Sequence, residues 1–388
     1  MAFELSPAQQ AIVRMVRDFV EKEVVPVAGE LEARDEYPAD IVKKMKDLGF
    51  FGLTIPEEYG GLGLNYLTYA HIVMEISRGW MSLSGLLSAH QMPAYMVCTF
   101  GTEAQRQRFL PDMATGKRQG AFALTEAESG GSDLQAITTF AVRDGEAYIV
   151  NGSKIFISNG SISDTVSILV KTDRNAKPLH KGMSVMLVEK GSEGFTAGRD
   201  IHKLGYRGVP SAELVFHNVR VPAFNLIGEK EGEGWAQVMS AVEVGRISVA
   251  ARGTGVSTAA FETAIQYAQQ RRTFGQPIAE HQAVQLRLAE MATKIEAARL
   301  LTLAAAEKKD AGGRSDLEAG FAKLFASETC REVTMDAMRT LGGYGYTTEF
   351  PIERYYRDAP LTIVGEGTND MMRLIIARAL LRKYRLNR

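Results

Sequence analysis

Five short stretches hold the residue types best suited to chemistry. In VGEGTND, at 364–370, Glu366 stands between Gly365 and Gly367. Glycine on both sides leaves space around the carboxylate for a ligand whose proton it could take. The same position also suits a plain helix-start acid, since Thr368 can cap the next helix and the helix dipole favours negative charge there. In AFALTEAESGGSD, at 121–133, Gly130 and Gly131 precede Ser132 and Asp133. Backbone N–H groups and a hydroxyl could there face an anion such as a pyrophosphate; a loop entering a β domain is the alternative. In GSKIFISNG, at 152–160, Phe156 with Ser158 could lay a ring on a flat cofactor and offer it a hydrogen bond, or simply end a strand at an Asn-Gly turn. In RRTFGQPIAEHQ, at 271–282, Arg271, Arg272 and Thr273 could meet phosphates beside Phe274, or form a solvated charge cluster. The glycines of LGGYGYTTEFPIERYYRD, at 341–358, allow a tight turn or a close approach of backbone to a ligand.

The elements that must position these residues follow from composition and periodicity. A chain of 388 residues suggests two or three domains. With 45% hydrophobic and 23% charged residues it is an ordinary globular protein, not a disordered one. The 45 basic and 46 acidic residues leave a net charge of -1, so no basic stripe argues for nucleic acid. Cys98 and Cys330 form no disulfide framework, and neither they nor the six histidines have metal-ligand spacing. No apolar run approaches the roughly 18 residues that span a membrane. MAFELSPAQQ carries no signal-peptide pattern, so a cytoplasmic location is expected.

Residues 1–120 read as a helical domain. Ser6 is a candidate N-cap with Pro7 in the first turn, Ile12, Met15, Val16, Phe19 and Val20 give one apolar face, and Pro26 is expected to stop the helix. Met74, Met81 and Met92 are expected in the core. Residues 121–230 read as an antiparallel β domain with Asp144-Gly145 as a hairpin turn and Asn-Gly pairs at 151–152 and 159–160. Residues 231–388 return to long helices. Val284, Leu288, Met291 and Ile295 give a bundle stripe, Asp310 to Arg314 form a loop, and a last helix covers about 369–383.

Taken in order over the whole chain, these stretches resemble the acyl-CoA dehydrogenase family. The resemblance runs from near residue 3 to near residue 385. It is carried by TEAESGGSD, KIFISNG, LGYRGVPSAELVFHNVRVP (204–222), RRTFGQPIAEHQAVQ, LGGYGY and VGEGTND. It implies an N-terminal helical domain, a middle β domain and a C-terminal four-helix bundle. It also implies non-covalent FAD, a homotetramer and an electron-transferring flavoprotein as acceptor. By that pattern Phe122, Leu124 and Thr125 line the flavin ring, Gly131 and Ser132 meet the pyrophosphate, and Phe156 and Ser158 sit at the ring. Arg271, Thr273, Phe274, Gln282, Arg339, Gly342 and Gly343 reach the FAD of a neighbouring subunit, while Thr368 and Asp370 lie along the cofactor. The resemblance implies that Ser132, Glu243, Arg246, Gly365 and Gly367 contact the acyl-CoA. Glu366 is then the base that takes the α proton while a hydride leaves the β carbon, giving the 2-enoyl-CoA. A carboxylate raised by burial suits that role.

Some members place the base on an earlier helix, where this chain has Gly245, so the role falls to Glu366. Three departures from the pattern stand out. The TE…GSD loop is one residue longer, Arg339 replaces the usual Gln or Glu, and Gly365 replaces a Tyr common in straight-chain members. The last change enlarges the acyl pocket and points to a short, branched or β-substituted acyl group. Two alternatives remain at this stage. One is a dicarboxylyl-CoA (glutaryl-type) dehydrogenase, although Met81 occupies the place of that type's Arg. The other is a family member that has lost catalysis and serves as a binding partner.

Overall fold

The structure is a computed structural model that describes residues 3–385. Helix α1, Pro7–Phe19, starts where the sequence places it: Gln9 N donates to Ser6 Oγ at 3.3 Å and Ser6 N donates to the Gln9 side chain at 2.8 Å. Pro26 does not stop this helix. The chain widens into one π-helical turn, Val20–Val24, and continues as α2, Val25–Ala33, with Pro26 in its first turn. The wide turn removes the demand for an N–H at Pro26, so the proline is tolerated. Helices α3 (Ala39–Asp47), α4 (Tyr66–Gly79), α5 (Met81–Phe100) and α6 (Glu103–Ala114) complete the first part.

Seven strands follow: β1 Gly120–Ala123, β2 Phe140–Asp144, β3 Ala147–Ser158, β4 Thr165–Lys171, β5 Met183–Glu189, β6 Phe195–Asp200 and β7 Ser211–Pro222. They form one sheet in the order β1-β4-β2-β3-β7-β6, with β5 on the other edge of β4. Asp144-Gly145 makes the expected β2–β3 hairpin. The sheet is mixed, not purely antiparallel, because β4 runs parallel to β1 and meets the end of β2 in parallel. Asn151-Gly152 is a bulge inside β3 and not a turn, with the β3–β7 register slipping between Val150 and Gly152.

The third part begins with α7, Gly234–Gln270, followed by the short hairpin β8 (Arg272–Thr273) and β9 (Gln276–Pro277). Helices α8 (Gln282–Asp310), α9 (Asp316–Leu341), α10 (Ile352–Val364) and α11 (Asn369–Lys383) complete it. One apolar core runs through the first helices and the last bundle, and Met74, Met81 and Met291 lie in it; Leu288 and Ile295 pack against it partly buried. Met92 belongs to a second core shared by α5, α6, β5 and the start of α7. The first and third parts are also joined by hydrogen bonds. Asp310, at the end of α8, accepts from the N–H groups of Tyr66 and Leu67 at 2.7 and 2.9 Å, filling the open donors at the start of α4. Among the described residues no helix is long and apolar enough to cross a membrane.

Candidate active site

Glu366 lies on the turn between α10 and α11. The turn is made by a stop and a start: Gly365 ends α10, and Thr368 caps α11 by accepting from Met371 N at 3.3 Å. Between them Glu366 adopts φ 54° and Gly367 φ 85°. A left-handed glutamate is strained backbone, and it persists because its surroundings fix it. The fixing group is Lys323 on α9, which is fully buried. Its ammonium donates to the carbonyls of Ile363 and Gly367 at 2.8 Å each and to Asn369 Oδ1 at 2.7 Å, so all three hydrogens are used on both flanks of Glu366.

The Glu366 side chain points at α7. A Cβ built on Gly245 would come 2.7 Å from Glu366 Oε2, 2.9 Å from its Cδ and 3.2 Å from Met92 Cε. Gly245 is therefore the notch that receives the carboxylate. Burial raises the Glu366 pKa above the ordinary carboxylate value, while the positive charges of Arg252, Arg246 and Lys323 oppose that rise. Gly245→Ala is expected to push the carboxylate aside by roughly 0.5–1 Å, the gap to ordinary van der Waals contact. It should lower the rate of flavin reduction by about 10- to 100-fold with the flavin spectrum retained; stopped-flow absorbance measures it.

A second group of expected site residues gathers on the sheet. Ile155 N donates to Thr125 O at 2.9 Å, which lays the 122–132 segment beside β3. The buried Glu126 locks that position. It accepts from Lys154 Nζ at 2.8 Å, from Thr139 N at 3.0 Å and from both the N–H and hydroxyl of Thr138. Burial opposes its charge, but Lys154 and these donors prevail and hold Glu126 at about 2. The longer loop closes on itself: Gly130 N donates to Glu126 O at 2.9 Å, and Gly131 packs on the Thr125 hydroxyl. The extra residue is thus absorbed within the turn, with Thr125 and Gly131 adjacent. Ser132 is exposed beyond it, and Phe122 and Leu124 are half-buried on the same side of the second core. Phe156 is 64% exposed at φ 61°, two residues from the half-buried Ser158.

The remaining expected residues lie elsewhere. Arg271, Thr273, Arg339, Gly342 and Gly343 line one open cleft of about 600 Å³, together with Tyr267 and Tyr344. Phe274 is 96% exposed at its rim hairpin, and Gln282 is exposed at the first turn of α8. Arg339 is held by Asp336 at 3.1 Å. Asp370 is exposed and paired with Arg373 at 3.0 Å. Glu243 is buried one turn before Arg246 on α7; it accepts from Ser315 N at 3.3 Å and Ser315 Oγ at 3.1 Å, with Lys309 Nζ at 3.5 Å. Arg246 is buried with Asp316 at 3.5 Å. Sequence reasoning missed Arg252 and Lys323. Each is a lone charge in a run of uncharged residues, Arg252 between Arg246 and Glu262, and Lys323 between Glu318 and Glu328. That isolation was the available signal.

An exposed aromatic ring on a strand end, a glycine open to close approach and a carboxylate whose pKa is raised by burial are features that a flavin-dependent dehydrogenase would use. The exposed Phe156 at positive φ and the open Gly130 fit the flat ring and phosphates of FAD, because neither position is filled by neighbouring side chains. Comparison with known proteins agrees. The acyl-CoA dehydrogenase N-terminal domain matches residues 6–117, the middle domain 121–219 and the C-terminal domain 232–381. The chain is 42% identical to an acyl-CoA dehydrogenase of Bacillus subtilis, covering 96% of this chain and 98% of that one. It is 40% identical to the short-chain specific acyl-CoA dehydrogenase of Clostridium acetobutylicum, covering 98% of this chain and 100% of that one. It superposes on the butyryl-CoA dehydrogenase of Megasphaera elsdenii with a TM-score of 0.95 at 37% identity, covering 98% of this chain and 100% of that one. The chain belongs to the acyl-CoA dehydrogenase family: it is an FAD-dependent oxidoreductase acting on a CH–CH bond.

Proposed function

We propose that this enzyme oxidises a short, branched or β-substituted acyl-CoA to its 2-enoyl-CoA, with Glu366 as the base. The observation that carries the reading is the Glu366 carboxylate seated against Gly245 with its pKa raised by burial. A thioester α C–H is a very weak acid, so its removal needs a base kept from water and a site that stabilises the developing enolate charge. Lys323 donates to carbonyls on both sides of Glu366, which supports a carboxylate held in one position. Arg246 and Arg252 add positive charge near the same carboxylate. FAD, when bound, supplies the acceptor for the hydride leaving the β carbon. Phe156 and Ser158 would hold its ring, and Thr125, Gly131 and Ser132 its near side.

The cleft lined by Arg271, Thr273, Arg339, Gly342 and Gly343, with Phe274 exposed beside it, is the surface we assign to the cofactor of a second copy, within the homotetramer that we propose. An electron-transferring flavoprotein would reoxidise the flavin. Glycine at 365, where an aromatic side chain would crowd the turn, leaves room for branching near the base. Anaerobic bleaching of the flavin against a panel of acyl-CoA thioesters tests the reading, and best kcat/KM with long unbranched chains would contradict it.

The acid side of the pH profile gives a further check. Glu366 works deprotonated and its pKa lies above 4.5, so kcat/KM is lost as pH falls through that raised value. Log kcat/KM should rise with unit slope to a midpoint above the ordinary carboxylate value. A midpoint at or below 4.5 would mean that burial does not shape this base.

A further inference from the structure

Among the buried charges around Glu366 is one, Arg252, that neither clamps the turn nor has a counter-ion among the described residues. Gly245, Ser248 and Arg252 are spaced by three and four residues on α7, so they share one helix face. Gly245 receives the Glu366 carboxylate. Ser248 Oγ accepts from the Tyr69 hydroxyl at 3.4 Å. Arg252 Nη1 donates to the Tyr206 hydroxyl at 3.5 Å. Helical side chains lean toward the helix N-terminus, so the Arg252 guanidinium leans back toward Gly245 and Glu366.

Tyr206 is seated by the absence of a side chain opposite. A Cβ on Gly85 of α5 would come 1.7 Å from the Tyr206 hydroxyl oxygen. Two tyrosine hydroxyls, a serine and a guanidinium are thus gathered on the α7 face that receives Glu366.

Arg252 is only 6% exposed, its Nε has no hydrogen-bond partner, and among the described residues it makes no ion pair within 4 Å. Arg246, one face further along the same helix, has Asp316. A buried guanidinium with one long hydrogen bond is costly, and a hydrocarbon tail laid against it would leave it unsolvated. A carboxylate would satisfy it through paired N–H donors, with the tyrosine hydroxyls as further donors.

We propose that Arg252 is the receptor for a second carboxylate at the far end of the acyl group, so that the substrate is a short dicarboxylic acid thioester. The inference rests on Glu366 being the base, since it places the acyl group between Glu366 and Arg252. It also relocates the anion site from the position occupied by Met81 to the face of α7.

Calorimetric titration of the FAD-loaded Glu366→Gln protein, which cannot consume its ligand, tests this with succinyl-, glutaryl- and butyryl-CoA. At least one of the two dicarboxylyl thioesters should bind ten or more times tighter than butyryl-CoA. Adding Arg252→Met should abolish that preference, a loss of about tenfold or more in relative affinity, and Arg252→Lys should keep part of it. Tighter binding of butyryl-CoA than of both dicarboxylyl thioesters would overturn the proposal without any Arg252 variant having to fold. So would an equal loss for all three in Arg252→Met, which would make Arg252 a partner of Glu366 alone. Anaerobic bleaching of the unaltered enzyme separates the two readings. If no thioester bleaches the flavin while Arg252-dependent binding persists, the base assignment fails and the anion site stands.

Discussion

Replacing Glu366 with Gln should leave the yellow flavin spectrum intact and slow anaerobic bleaching by acyl-CoA about 1,000-fold or more. That factor is about 4 kcal/mol of barrier, the cost of losing the only group placed to receive the proton. Gln keeps the shape that fits the Gly245 notch, so the geometry survives while the acceptor is lost. Glu243 cannot substitute, because its carboxylate is engaged by Ser315 and Lys309. The variant also carries its own control for folding. Since burial outweighs the nearby cations and raises the Glu366 pKa, the charged form is disfavoured relative to water, and a neutral isostere removes that penalty. Glu366→Gln should therefore melt no lower than the unaltered protein at neutral pH. A rate loss below tenfold, with the protein fully loaded with flavin, would transfer the base role elsewhere.

What could be read from the sequence were features in which a side chain acts on backbone a few residues away. Ser6 caps α1, Asp144-Gly145 turns the β2–β3 hairpin, and Thr368 caps α11, each through contacts within three residues. Glu366 was legible for a related reason: its two glycines mark an unusual turn. Features set by partners far along the chain were not legible. Pro26 looked like a stop because a π turn leaves no composition signature. Asn151-Gly152 read only as a break in the β pattern, because a bulge depends on the facing strand β7, some sixty residues on. The parallel pairing of β1 with β4 likewise depends on how the long connection folds. The same logic hid Arg252 and Lys323. Each reads as an ordinary helix-surface charge until α5, α9 and α10 are packed around it. The residues expected at the chain's own flavin and those expected to reach a neighbouring subunit's form separate groups, one at the 122–132 segment and β3 and one around the cleft beside Arg339.

Lys323→Met should lower stability by about 2–4 kcal/mol and slow flavin reduction by roughly 100-fold, although Lys323 takes no part in the proton transfer itself. Met fills the same volume but donates nothing, so the carbonyls of Ile363 and Gly367 and the Asn369 side chain lose a buried donor. The loss falls on the one turn where Glu366 is held at positive φ, and a strained turn without its clamp relaxes toward ordinary backbone. Two pH readouts distinguish this role from simple loss of packing. The Lys323 charge opposes the rise in the Glu366 pKa, so its removal should move the acid limb of kcat/KM to higher pH. Burial also pulls the Lys323 amine from 10.5 down to about 7. Between those values the unfolded chain holds a proton that the folded chain has released, so through this group stability rises with pH over that window and the gain is lost as pH falls toward 7. The Met variant should lack that rise in urea melts from pH 7 to 10. A variant that loses stability but keeps both the acid limb and the alkaline slope would reduce Lys323 to a packing residue, and the positive φ of Glu366 would then be held by the Gly365 and Thr368 ends of the turn alone.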